Sequence, residues 1–355
     1  MHTNPEHLRQ QPQPDGPPGV GLREFAEAMA ARLPGWDADV RDLTSDVDHA
    51  AMAELLWDSA PLHSAFARYR LQEAAVLTGP GGARLTAFRT RSRDHVSISL
   101  LRPDWMPADL VGPGDHQMPM ALAVDRDPVR AAAQVQERIL PRYEQAVWRV
   151  RVRALTEAAD GIAQASARWD TLADSFRDAD GRSSTAGYNE GKAARNAVAW
   201  QHVETFLAHG HEVLAGVKAT TTGADYLHGP ISADLRQMRG IDSVLARAAT
   251  MRSSYEDAAS ALAAAPPGTR EIYLERAHRL RDLDGWRYAD ELSYSGAALA
   301  RAAAHLTDRI GTEQPPADRR ADAALTRSAP GPHRTTAAPA PVPPAHVPAA
   351  ERRTR

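Results

Sequence analysis

Glu73–Leu101 reads EAAVLTGPGGARLTAFRTRSRDHVSISLL. Three short runs in it, EAAVLT, ARLTAFRT and HVSISLL, alternate apolar and polar residues, and the turn formers GPGG and RSRD separate them. Period-two alternation between turn signals predicts three strands joined by tight connections, that is, a three-stranded antiparallel meander. Arg89, Arg91 and Arg93 fall at spacing two, so a continuing strand would project them from one face with Phe88 and Thr90 on the other. A two-stranded ribbon armed in this way can enter a nucleic-acid groove. Charged residues at a hairpin tip also block edge-to-edge pairing of sheets, and that is the reading we carry forward. Asp94 stands beside the arginines, and Phe88 is the single aromatic of the segment, so a stacking platform for single strands is missing.

Upstream of the meander, LREFAEAMAARL (Leu22–Leu33) has helical periodicity and stops at Pro34-Gly35. DHAAMAELLWDSA (Asp48–Ala60) predicts a second helix, with Asp48 as N-cap and Pro61 beyond its end. Downstream, Pro103, Pro107, Gly112, Pro113, Gly114 and Pro119 mark an irregular connection to MALAVD (Met120–Asp125), a further strand candidate. Residues 21–126 therefore predict a small α+β domain, a helix pair followed by the three-stranded meander.

From Asp127 the pattern is almost entirely helical. Asp127-Pro128 starts a helix that should run to Pro141, and a second is expected from Arg142 toward Ala179 with Ile162, Ala165, Trp169, Leu172 and Phe176 on one stripe. GRSSTAG then breaks the chain, with Ser183 or Ser184 as cap. Val203, Phe206, Gly210, Val213 and Val217 repeat the stripe on the next helix. A third helix is expected over Ser232–Ala264. A last one follows Pro266-Pro267-Gly268-Thr269 and carries Leu292, Gly296, Leu299, Ala303, Leu306 and Ile310; a continuous Thr269–Ile310 would be about 60 Å long, with a kink expected at Asp284-Gly285. Long heptad-like stripes with small residues at the seams predict an elongated antiparallel helical bundle over residues 127–311. Residues 1–20 and 312–355 are Pro-, Gln- or Ala-rich without apolar periodicity and should be disordered. The fold class expected is mainly α.

Composition excludes several chemistries. There is no cysteine, which removes disulfides, thiolate metal sites and cysteine nucleophiles together. Net charge is -3, and neither folded part is basic: residues 21–150 hold 15 basic and 18 acidic side chains, and residues 151–310 hold 19 and 21. A dedicated duplex-binding domain normally carries a clear positive excess. No apolar run approaches the roughly 18–20 residues that cross a bilayer, and no leader is evident, so a cytoplasmic protein is expected.

Several clusters invite chemistry. His202, His209, His211 and Glu212 lie in WQHVETFLAHGHEVL, but only His209 with Glu212 has a spacing that could share one ion. Glu275 and His278 have the Glu-x-x-His spacing of bundle di-iron sites without the second motif and further glutamates such a site needs. No metal and no cofactor is expected. Gly187, Gly191 and Lys192 resemble a phosphate loop that is one residue short and follows no strand. Arg195-Asn196-Ala-Val-Ala-Trp-Gln-His202 resembles the Arg-x4–6-His motif of HEPN-type ribonucleases, which are all-helical and usually dimeric. The resemblance implies that Arg195 would stabilise charge on a scissile phosphate and His202 would transfer protons, without a metal. Chance also provides such pairs in a chain with 14 histidines and only two lysines among 42 basic residues. The expectation is therefore a non-enzymatic interaction or scaffold protein that binds a protein partner or itself through the bundle. The alternatives are the ribonuclease and a nucleic-acid binder using Arg89, Arg91, Arg93 and the basic tail.

Overall fold

The computed structural model describes residues 21–57, 71–89, 95–106, 121–176, 185–263, 266 and 268–313. The predicted tail 1–20, all of the tail 312–355 but its first two residues (which continue the last helix), Arg91 and Arg93, the end of the second predicted helix, most of the Pro-rich connection and the candidate caps Ser183 and Ser184 lie outside them. The described chain is mostly helical, with one antiparallel sheet in its N-terminal region.

The sheet has five strands, not three, in the order β1-β2-β3-β4-β5: β1 Asp37–Asp42, β2 Glu73–Thr78, β3 Arg84–Arg89, β4 His95–Leu101 and β5 Leu122–Asp125. All neighbours are antiparallel. The three central strands and β5 match the alternation of the sequence. Strand β1, DADVRD, escapes such reading because four of its six residues are charged; it is an edge strand of which only Ala38 and Val40 turn toward the interior.

The two N-terminal helices are not a pair. Helix α1 (Leu22–Ala30) lies with Ala75, Leu77, Leu85, Ala87, Val96, Ile98 and Leu100 on one face of the sheet. Helix α2 (Asp46–Leu55) packs Met52 with Ala74, Val76, Phe88 and Leu101 on the other. Period two explains the division, since successive residues of β2 feed opposite cores. Ser45, not Asp48, caps α2: its Oγ accepts the Asp48 N–H at 3.1 Å.

The predicted break at Pro141 does not occur. Helix α3 (Pro128–Gln134) passes through a π turn (Val135–Ile139) directly into α4 (Leu140–Ser175). The Leu140 N–H donates to Val135 O, and this wider turn makes room for a proline ring that an α-helical turn would clash with. Ala131, Val135, Ile139, Tyr143, Ala146 and Val150 of this continuous rod pack on the sheet, while Leu155, Ala158, Ile162, Ala165 and Trp169 face other helices. Turn residues after β4 meet it too. The Tyr143 hydroxyl accepts the Arg84 N–H at 3.2 Å, and the Arg84 guanidinium pairs with Asp104. Burial pushes the Tyr143 hydroxyl up to about 12.

Helix α5 (Thr185–Thr220) packs along α4 in the opposite direction, with Gly161 under His202 and Gly216 under Trp148. Short helices α6 (Gly223–Leu227) and α7 (Ser232–Gln237) lead to α8 (Ile241–Ala263) and α9 (Arg270–Glu313). The expected Ser232–Ala264 helix is thus split, because Gly240 adopts a positive φ of 82° that ends α7 and admits α8. Helix α9, about 66 Å long at 1.5 Å per residue, runs without interruption through Asp284-Gly285. Gly285 and Gly296 leave room for the Trp200 and Phe206 rings of α5, the reason these sites are glycine. The stripes Val203, Phe206, Gly210, Val213, Val217 and Leu292, Gly296, Leu299, Ala303, Leu306 are buried as their spacing predicts. Leu172 is exposed. The lower end of α9 is tied by ion pairs, Arg301 to Asp234 at 2.7 Å and Arg309 to Asp225 at 2.8 Å. Asp225 also receives the Thr222 N–H and hydroxyl, closing the N-terminus of α6.

Glycine to alanine in mid-helix normally stabilises by about 1 kcal/mol. At Gly296 a Cβ would stand 2.4 Å from the fully buried Phe206 ring, and overpacking of that kind costs roughly 1–3 kcal/mol. Gly296→Ala should therefore lower the urea midpoint, whereas Gly223→Ala, where nothing lies within 4 Å, should leave it nearly unchanged.

Candidate functional site

Arg195 and His202 sit two turns apart on α5, and both meet neighbouring helices. The Arg195 guanidinium lies over the Trp286 ring of α9, 3.5 Å from its centroid, with Trp169 of α4 5.6 Å away. Its Nε and Nη2 donate to the Asn196 Oδ1 at 2.9 and 2.7 Å. Asn196 itself is buried, so the arginine provides the partner that a buried amide oxygen needs. Burial lowers the Arg195 pKa, opposed by Asp170, Tyr188 and Asp290. The planar guanidinium suits both tasks, stacking on indole and forking onto one acceptor.

His202 rests its imidazole on α4 at Gly161, where a Cβ would come within 2.3 Å of the ring. Burial lowers its pKa and keeps it neutral near pH 7. Both side chains reach α4, Arg195 near Trp169 and His202 at Gly161. That side of α5 is occupied by helix packing, and packing accounts for the arginine, the asparagine and the histidine alike.

Around Arg195 the end of the α4–α5 hairpin is closed by aromatic rings. Trp169 meets Tyr188 edge-on at 4.9 Å and Phe176 at 6.4 Å. Gly187 and Gly191 lie within α5 and give these rings space, since a Cβ would meet Phe176 at 2.9 Å and Trp169 at 2.7 Å. The apparent phosphate loop is therefore a helix with two notches.

The other candidates are separate from this cluster. Arg89 ends β3 half-buried and has interactions of its own, while Arg91 and Arg93 lie outside the described residues. His209 is buried at 7% exposure, and its ring lies 4.7 Å from Trp105. His211 and Glu212 of the same helix are exposed. His278 is exposed and lies 5.5 Å from the Tyr255 ring, with Glu275 on the same turn of α9. Among the described residues no group of three or more His, Asp or Glu side chains could hold a metal ion, and no helix is long and apolar enough to cross a membrane.

Sequence reading singles out Arg195 and His202 but misses their partners. Trp169 and Trp286 come from helices 26 residues before and 91 residues after Arg195, and no local pattern joins them. Arg84 is missed as well: in β3 it resembles the hairpin arginines, yet it is buried.

Comparisons with protein-family models, curated proteins and solved structures give no match to this chain.

Lysine at position 195 keeps the charge but loses the fork and the stacking plane. Arg195→Lys should thus lower unfolding free energy by about 1–2 kcal/mol, read as a shift in denaturant midpoint. His202→Gln, which can still cover Gly161, should cost less.

Proposed function

We propose that this chain is a non-enzymatic cytoplasmic interaction protein that associates with itself through an elongated antiparallel helical bundle. One observation carries the reading: the hairpin of α8 and α9 continues past the last buried layer of the helical core. Among the described residues, those buried in α8 end at Ala248, and those buried in α9 do not begin before Gly285. None of the described residues from Arg252 to Ala263 or from Arg270 to Asp282 is buried. Ile272 and Tyr273 stand at 68% and 52% exposure on that stretch. Two helices without a further partner cannot enclose a core, and exposed large apolar side chains at such an end favour a covering surface.

A second copy is the occupant that best suits this end. Two such hairpins related by a twofold axis supply four helices, enough to enclose an interior. Charge does not oppose it: residues 252–284 hold five arginines and six acidic side chains, so two copies meet with little net repulsion. The ribonuclease reading is weaker, because Arg195 and His202 already have interhelical roles.

Light scattering on the full chain should give a mass that rises with concentration toward twice the monomer. The pair Ile272→Asp and Tyr273→Asp should return it to monomer with the helical circular-dichroism signal unchanged. A wild-type monomer throughout the micromolar range would defeat self-association. Incubation with labelled RNA and a chelator, wild type beside His202→Ala, should leave the RNA intact in both, whereas cleavage by wild type alone would establish the ribonuclease.

A further inference from the structure

The turn Pro103–Met106 after β4 belongs to the sheet, yet Trp105 in it reaches the helices. Its ring lies 4.7 Å from that of His209 on α5, tilted by 55°, and the Arg151 guanidinium of α4 stands 5.2 Å from the same ring. Three separate elements therefore meet at one indole. The turn is anchored on its other side by the pairing of Arg84 with Asp104.

The junction is rich in donors and poor in acceptors. Trp105 Nε1 and Arg151 Nε are both buried and have no hydrogen-bond partner among the described residues. A proton added to His209 would create another N–H donor and a second cation beside Arg151 in a place shielded from water. From the elements packed on His209, the charged group facing it is Arg151 of α4, and Trp105 contributes no charge. On its own helix Glu212 provides the opposing attraction, but it is exposed. We propose that the Trp105–His209–Arg151 stack is a proton-sensitive latch, which holds the turn after β4 against α5 while His209 is neutral and releases it when His209 takes up a proton.

Burial first, then Arg151, lowers the pKa of His209, against the pull of Glu212 and of the Ala208 backbone. A histidine held neutral by the fold binds fewer protons folded than unfolded. Its stabilising effect is complete above the ordinary histidine value of about 6.5 and is lost as pH falls from there toward the folded value.

Hydrogen exchange followed by mass spectrometry tests this on the intact chain. Protection of the 95–106 peptide, corrected for intrinsic exchange, should be high at pH 7.5 and fall by up to about tenfold per unit as pH drops from about 6.5 toward the folded value, levelling off below it. His209→Gln should abolish that dependence, and His202→Gln, on the same helix interface, should preserve it. Arg151→Gln, which removes the facing cation and brings the closed-state value of His209 nearer the ordinary one, should shrink the loss of protection at low pH, and it keeps the proposal testable should His209→Gln fold poorly. Equal protection at pH 7.5 and below about pH 6.5 in wild type, loss of the dependence in His202→Gln, or an undiminished dependence in Arg151→Gln would each overturn the latch.

Discussion

The unbroken rod from Pro128 to Ser175 is the constraint on which the rest of the structure depends. Pro141 has no N–H and would collide with the carbonyl one turn before it in a regular helix. The π turn at Val135–Ile139 absorbs that conflict by widening the ladder directly ahead of the ring. Had the chain broken there instead, the segment on the sheet and the segment among the helices would have been joined by a loop. As it stands, a single rod supplies Ile139, Tyr143 and Val150 to the sheet core and, from a different side, Leu155 and Ile162 to the helical core. The rotation between the two is fixed by helix geometry.

Close contact among the helices relies on pairing rings with glycines. His202 covers Gly161, Trp148 covers Gly216, Trp200 covers Gly285 and Phe206 covers Gly296. A chain with 5 Phe and 7 Trp has few large side chains, and these rings are set where a missing Cβ lets them come close to backbone. The same economy shapes the Arg195 cluster, where a guanidinium acts as a flat packing element between indoles.

Much of this was legible in the sequence because it depends on local periodicity. The strands β2, β3 and β4 follow from alternation, and the buried stripes of α5 and α9 follow from spacings of three and four. What escaped depends on neighbours distant in sequence. The strand character of Asp37–Asp42 comes from pairing with β2, not from its own charged residues. Continuity through Pro141 depends on a turn type that no residue pattern announces, and continuity through Gly285 depends on Trp200. The Arg-x6-His spacing was legible, but its surroundings were not, since Trp169 and Trp286 reach Arg195 only once three helices have assembled.

Connectivity also separates the two halves in time. Each strand of the sheet pairs with the next strand in the chain, so the longest closure there, from β1 to β2, spans 30 residues. The helical core is different: Trp148 Nε1 donates to Thr307 Oγ1 across 159 residues. Closing so long a segment carries a larger entropic cost, and contacts of high sequence separation form slowly. The order that results is a meander complete early, with α4 growing out of it as a template, and α9 docking last.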